Sequence, residues 1–234
     1  MGEFIWTDAA IDWMRCAADH SRYYQTLAEQ IAAYLPPTAR VFDAGGGLGD
    51  LARWLSYHVK QVTVMERDPK AVASARALCP QNVTVMLGDV FTYRPDRQFD
   101  ALVLCSIGTA DEILLLAREL SSGKTFFLQS VSAQREFSLG QTNPHGETVT
   151  DAERVLQAEG VAYSKVPIEV EHGQPLRSLE DAAAFFSHYA KRIVTPEEAE
   201  PLLQKTDDEE FPFYAPRKRV LGMLVFDALK IRAR

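Results

Sequence analysis

Apolar and polar residues alternate along this chain in two rhythms, and the switch from one to the other marks its elements. From residue 39 onward, runs rich in Val, Thr, Phe and Leu read as strands: RVFDA (40–44), QVTVME (61–66), NVTVML (82–87), DALVLC (100–105) and KTFFLQS (124–130). Between them, apolar residues recur at helical spacing at Leu51 and Leu55, at Val72, Ala75 and Cys79, and at Ile113, Leu116 and Leu120. That alternation predicts a parallel sheet with helices on both faces. Asp68 before Pro69, and Thr195 before Pro196, Glu197 and Glu198, read as helix N-caps with proline at the first helical position.

Two regions depart from the alternation. Ahead of the first strand, WTDAAIDWMRCAADHSRYYQTLAEQIAAYL predicts two helices, the second with Tyr24, Leu27, Ile31 and Leu35 on one side and ended by Pro36 and Pro37. After the fifth strand come the loop SLGQTNPHGET, a helix near 150–159 closed by Gly160, and a sixth strand, VAYSKVPIEV. Helices at about 178–191 and 195–205 then precede a last strand, RVLGMLVFDALK. The expected fold is α/β: a seven-stranded, mostly parallel, doubly wound sheet in one domain over 1–234. Residues 1–37 form an N-terminal helical lid, and 172–214 a helical insertion that covers substrate.

Composition narrows the functional classes. With 234 residues, 47% hydrophobic and 24% charged, the chain has material for one sizeable core and is too evenly mixed for a disordered protein. No run is long and apolar enough to span a bilayer, and MGEFIWTDAA lacks the pattern of a signal peptide, so a cytoplasmic location is expected. Cys16, Cys79 and Cys105 are widely spaced, with no histidine at ligand spacing, and predict neither a disulfide framework nor a metal site. A net charge of −7 opposes general binding to a phosphate backbone, so nucleic acid is not the expected partner. The basic cluster PRKR (216–219) reads as a solvated strand entrance and the acidic run TDDEE (206–210) as a solvated turn.

The chemistry concentrates in VFDAGGGLGDLA (41–52), where four glycines fall within five positions between a strand and a helix. Backbone without side chains at such a turn lets a ligand approach at contact distance. A dinucleotide site would show GxGxxG, but from Gly45 and Gly47 the third glycine would fall at Asp50. The pattern is instead Asp43-x-Gly45-x-Gly47-x-Gly49. A nicotinamide-dependent reductase is disfavoured on that spacing.

With that motif the chain resembles the class I, Rossmann-like S-adenosylmethionine-dependent methyltransferases, whose first motif has this form at the end of the first strand. The resemblance covers about residues 38–131. It implies that Asp43 and the loop of Gly45, Gly46, Gly47 and Gly49 hold S-adenosyl-L-methionine. Glu66, at the end of the second strand, accepts hydrogen bonds from both ribose hydroxyls, a match between two acceptor oxygens and a vicinal diol. Arg67 is available to lie over the adenine face. Asp89 accepts from the adenine amino group while the N–H of Val90 meets a ring nitrogen, and the backbone at Cys105 and Ser106 approaches the ligand's amino group. The adenine and glutamine N-methyltransferases of the family carry an Asn or Asp, two prolines and an aromatic after the fourth strand. This sequence has CSIG there, which speaks against those acceptors.

The implied reaction moves the cofactor's methyl group to a small molecule by in-line displacement, leaving S-adenosyl-L-homocysteine. A hydroxyl or protonated amine acceptor needs a base, and histidine suits neutral pH. His145, in the loop TNPHGET, is the first candidate and His188, beside Tyr189, the second. Trp6, Tyr23, Tyr24 and Tyr189 are candidate lid or substrate contacts, with Trp13 as a further aromatic. Transfer of the cofactor's aminocarboxypropyl arm and non-catalytic cofactor binding are the alternatives. The acceptor atom and the oligomeric state, monomer or homodimer, stay open.

Overall fold

A computed structural model describes residues 4–133, 137, 139 and 147–231. The main sheet contains β1 (Arg40–Ala44), β2 (Gln61–Glu66), β3 (Val83–Leu87), β4 (Phe99–Cys105), β5 (Ser121–Ser130), β6 (Tyr163–Glu171) and β10 (Lys218–Asp227), in the order β3-β2-β1-β4-β5-β10-β6. Strands β3, β2, β1, β4 and β5 run parallel, and β10 pairs antiparallel with β5, from Leu221 opposite Ser130 to Asp227 opposite Lys124. Seven strands, mostly parallel, are what the alternation of the sequence predicts.

The helices are α1 (Asp8–His20), α2 (Tyr23–Ala32), α3 (Asp50–Leu55), α4 (Pro69–Leu78), α5 (Ala110–Leu120), α6 (Val149–Ala158), α7 (Leu179–Ala190) and α8 (Pro196–Ala199). Their starts follow the cap chemistry. The Asp68 carboxylate accepts from the N–H groups of Lys70 (2.8 Å) and Ala71 (3.0 Å), with Pro69 opening α4. Thr195 and Glu198 form a reciprocal capping box at α8. None of the described helices is long and apolar enough to cross a membrane.

Two compact units divide the chain. One consists of Tyr24–Val131, Glu147–Ile168 and Val220–Arg234. Its core joins Phe42, Phe99, Leu102, Leu104, Ile113, Leu116, Leu120, Phe127, Leu156, Leu224 and Phe226, all buried. Each large apolar side chain taken out of water there contributes about 1.5–3 kcal/mol. The edge strand β3 is blunted by Arg76, whose guanidinium donates to the Val85 carbonyl from Nε (3.3 Å) and Nη2 (3.2 Å).

The other unit consists of Met1–Tyr23, Ser132–Gly146 and Glu169–Arg219. It holds a small sheet that the sequence pattern does not reveal, in the order β7 (Gln174–Leu176), β9 (Phe213–Ala215), β8 (Gln204–Lys205). The helix expected over 195–205 is correspondingly shorter: α8 stops at Ala199, a 3-10 turn covers Glu200–Leu202 around Pro201, and the chain then extends into β8. Trp13, Leu176, Phe185, Phe186 and Val194 are buried in this unit's core. Trp13 donates from Nε1 to Asp181 (2.8 Å), whose other oxygen accepts the Arg177 N–H (3.0 Å).

Candidate functional site

Strand β1 is buried along almost its whole length, and the one charged residue in that buried run is Asp43, 1% exposed. Just after it, the chain enters left-handed backbone at Gly45 (φ 65°), Gly47 (φ 53°) and Gly49 (φ 79°) before α3 begins. A side chain is excluded at Gly45 by the Cδ1 atom of Ile107, and at Gly46 by the Asp43 carboxylate and Val64, each 2.7 Å from where a Cβ would stand. The loop is thus bare main chain, tied to β2 by the Gly45 N–H, which donates to the Met65 carbonyl at 2.8 Å.

Glu66 closes the opposite side. One carboxylate oxygen accepts the Gly47 N–H (3.2 Å), and the other accepts the N–H groups of Arg67 (2.8 Å) and Asp68 (3.0 Å). Three backbone donors fix the side chain, and the oxygen that accepts from Gly47 keeps an acceptor site for a ligand. Asp43 stands in a different environment. Its Oδ2 is buried with no hydrogen-bond partner among the described residues. Burial first, and the charge of Glu66 second, push its carboxyl up to about 7.

The next strand ends extend the same edge. The Gly88 N–H donates to the Glu66 carbonyl (2.9 Å), which sets Asp89 and Val90 beside β2. Asp89 is exposed and its Oδ1 accepts the Phe91 N–H at 2.9 Å, while Val90 is buried. After β4, Cys105 is half-buried and Ser106 is exposed, with φ 58° and its N–H on the Leu128 carbonyl (2.9 Å). Because β3, β2, β1 and β4 are neighbours, Asp89, Val90, Glu66, Arg67, Asp43, the glycines, Cys105 and Ser106 share the C-terminal edge of four adjacent strands. Nothing in the residue pattern signals the part played by Ile107, whose side chain sits on the loop between the left-handed Ser106 and Gly108 (φ 79°).

The candidate catalytic and lid residues are distributed differently. His145 lies outside the described residues. Tyr24 is half-buried on α2 in the unit with the glycine loop, whereas Trp6, Tyr23, His188 and Tyr189 belong to the other unit. His188 has Phe4, Trp13 and Tyr189 around it, at 5.4, 6.0 and 5.3 Å between ring centroids. Its Nε2 is buried without a partner among the described residues, and burial, then Lys191, lowers its pKa, so the ring is neutral at pH 7. Burial pushes the Tyr189 hydroxyl up to about 12, which keeps it protonated. Tyr23 stacks on His172 at 4.3 Å, with the Arg219 guanidinium 4.7 Å from its ring. Trp13 is core packing and its ring N–H is used by Asp181.

Residues 41–122, from within β1 to the start of β5, match the family model of the methyltransferase domain. Over that stretch the chain is similar to a class I, Rossmann-like methyltransferase domain. The site fits S-adenosylmethionine: the glycine loop is open backbone, and Asp43 carries a buried acceptor that the described residues leave unused. No curated protein matches the sequence. Among solved structures, the chain is similar in fold to a Pyrococcus horikoshii protein with the provisional name of RNA methyltransferase, at 13% identity over 97% of this chain and 92% of that one, TM-score 0.56. It is also similar to a precorrin-6y C5,15-methyltransferase from Geobacter metallireducens (16% identity, 86% of each chain, TM-score 0.51). A third relative in fold is the magnesium protoporphyrin IX methyltransferase of Synechocystis with bound S-adenosylhomocysteine (14% identity, 95% and 89% covered, TM-score 0.50).

Proposed function

We propose that this methyltransferase methylates a small molecule, with Glu66 as the anchor of the cofactor. The observation that carries the reading is the Glu66 carboxylate, held by the N–H groups of Gly47, Arg67 and Asp68 and left with an acceptor site for a ligand hydroxyl. In this reading Asp43, Gly45, Gly46, Gly47 and Gly49 receive the amino-acid end of the cofactor, Asp89 and the Val90 N–H its base, and Arg67 the face of that base. The backbone at Cys105 and Ser106 completes the cradle. When bound, the cofactor supplies an electrophilic methyl group to a nucleophile placed in line with it. His145 and His188 are the candidates for accepting a proton from an acceptor hydroxyl.

The Pyrococcus neighbour's name raises a nucleic-acid acceptor as the competing reading. The net charge of −7 favours the small molecule, because binding a polyanion draws on clustered basic residues. Calorimetric titration with S-adenosylmethionine and S-adenosylhomocysteine, beside Glu66→Ala, tests the site: binding near −8 kcal/mol is expected for a micromolar ligand. Loss of binding in the variant supports the site, and wild-type protein that binds neither ligand overturns it. Incubation with methyl-labelled cofactor and either total RNA or a small-metabolite extract separates the acceptors. Label in RNA sinks the small-molecule reading, and transfer of label from cofactor labelled instead in its aminocarboxypropyl arm replaces methyl transfer.

A further inference from the structure

Among the buried polar groups of the glycine-loop unit, the Asp43 carboxyl combines full burial, an unpartnered oxygen and a neighbouring carboxylate. In register, β2 places Val64 beside it and β4 places Val103. The loop adds main chain at Gly46. The charged group that bears on it is Glu66, of like sign. The other titratable side chains on these elements are Arg40 on β1, Asp50 and Arg53 on α3, and Asp100 and Cys105 on β4. A carboxyl that is fully buried, has an oxygen without a hydrogen-bond partner among the described residues and feels a charge of like sign keeps its proton.

We infer that capture of the cofactor is coupled to release of one proton from Asp43 to solvent, so that binding tightens as the solution passes from mildly acidic to neutral. The inference rests on the cofactor reading proposed above. S-adenosylmethionine and S-adenosylhomocysteine both bring a primary ammonium group. Its approach supplies the counter-charge that the protein itself withholds from Asp43. The O–H bond of the carboxyl breaks, its electron pair stays on the carboxylate, and the proton leaves to buffer. No other reactant is consumed.

The experiment is calorimetric titration with S-adenosylhomocysteine at pH 5, 6, 7 and 8 in pairs of buffers that differ in ionisation enthalpy. Near one proton should be released per ligand at pH 6, about half at pH 7 and little at pH 8, with affinity rising about tenfold from pH 5 to pH 6. In Asp43→Asn, weaker binding with an enthalpy independent of buffer is expected. In Glu66→Gln, the pH of half-maximal release should move toward acid. Wild-type binding that is flat with pH and indifferent to buffer overturns the inference, as does proton release that survives Asp43→Asn. Wild-type protein that binds no cofactor at any pH overturns the underlying cofactor reading, an outcome distinct from binding without proton release.

Discussion

The side chain of Ile107 fills the space that a Cβ on Gly45 would need. Gly45→Ala therefore meets both a steric block and a backbone at φ 65°. It should lower stability by about 3 kcal/mol and abolish cofactor binding. In the double variant Gly45→Ala/Ile107→Ala the block is gone and only the backbone cost, about 1–2 kcal/mol, remains. Denaturant unfolding of the four proteins in the cycle measures the coupling, and additive single-variant costs would contradict the contact.

Glu66 serves structure and ligand together. Glu66→Gln keeps a carbonyl oxygen for the backbone donors, whereas Glu66→Ala strands the N–H groups of Gly47, Arg67 and Asp68. The alanine variant should lose about 1–3 kcal/mol of stability and the glutamine variant less. Cofactor affinity should fall in both, by about 2–3 kcal/mol in the alanine variant. Thermal unfolding alongside calorimetry separates the two effects.

The ligand-free protein should become less stable as pH rises through the acid-to-neutral range. Asp43 titrates near its ordinary value of 3.8 when unfolded and at about 7 when folded. Between those values the folded state holds a proton that the unfolded state has lost, so its contribution declines with rising pH until it is exhausted above pH 7. The full span corresponds to about 4 kcal/mol. Asp43→Asn should flatten this part of the profile, seen as a melting temperature that changes less between pH 5 and pH 8.

Ser106 holds a left-handed backbone with an exposed side chain. Ser106→Gly should stabilise the protein by about 1 kcal/mol. A destabilised variant would indicate that the hydroxyl makes a contact of its own.

In the other unit, Asp181 is the acceptor for the buried Trp13 ring and for the Arg177 N–H. Asp181→Ala should cost about 2 kcal/mol by leaving the indole donor unsatisfied. Tryptophan fluorescence during denaturant unfolding is a direct monitor.

The parallel part of the sheet was legible because burial on both faces writes strands as continuous apolar runs: RVFDA and QVTVME coincide with β1 and β2. Strands β7, β8 and β9 have two or three residues each, too few for any period to register, and so the insertion read as helical. Asp43 and Glu66 could be singled out from the sequence through the family resemblance, carried by an acid two residues before the spaced glycines and an acid at the end of the second strand. Their different hydrogen-bonding could not, since it depends on which backbone N–H groups come within reach: Glu66 receives three, while Asp43 Oδ2 receives none among the described residues. Nor does CSIG disclose that its isoleucine rests on a glycine about sixty residues earlier, a proximity created by the pairing of β1 with β4.

The strand order also sets a timetable for synthesis. β6 reaches the main sheet only through β10, which lies between it and β5 and leaves the ribosome after it. At about 5–20 residues per second, a nascent chain carries β6 without its sheet partner for seconds. Pro167 and the charged residues Lys165, Glu169 and Glu171 along that strand make it a poor template for pairing with other chains during the wait.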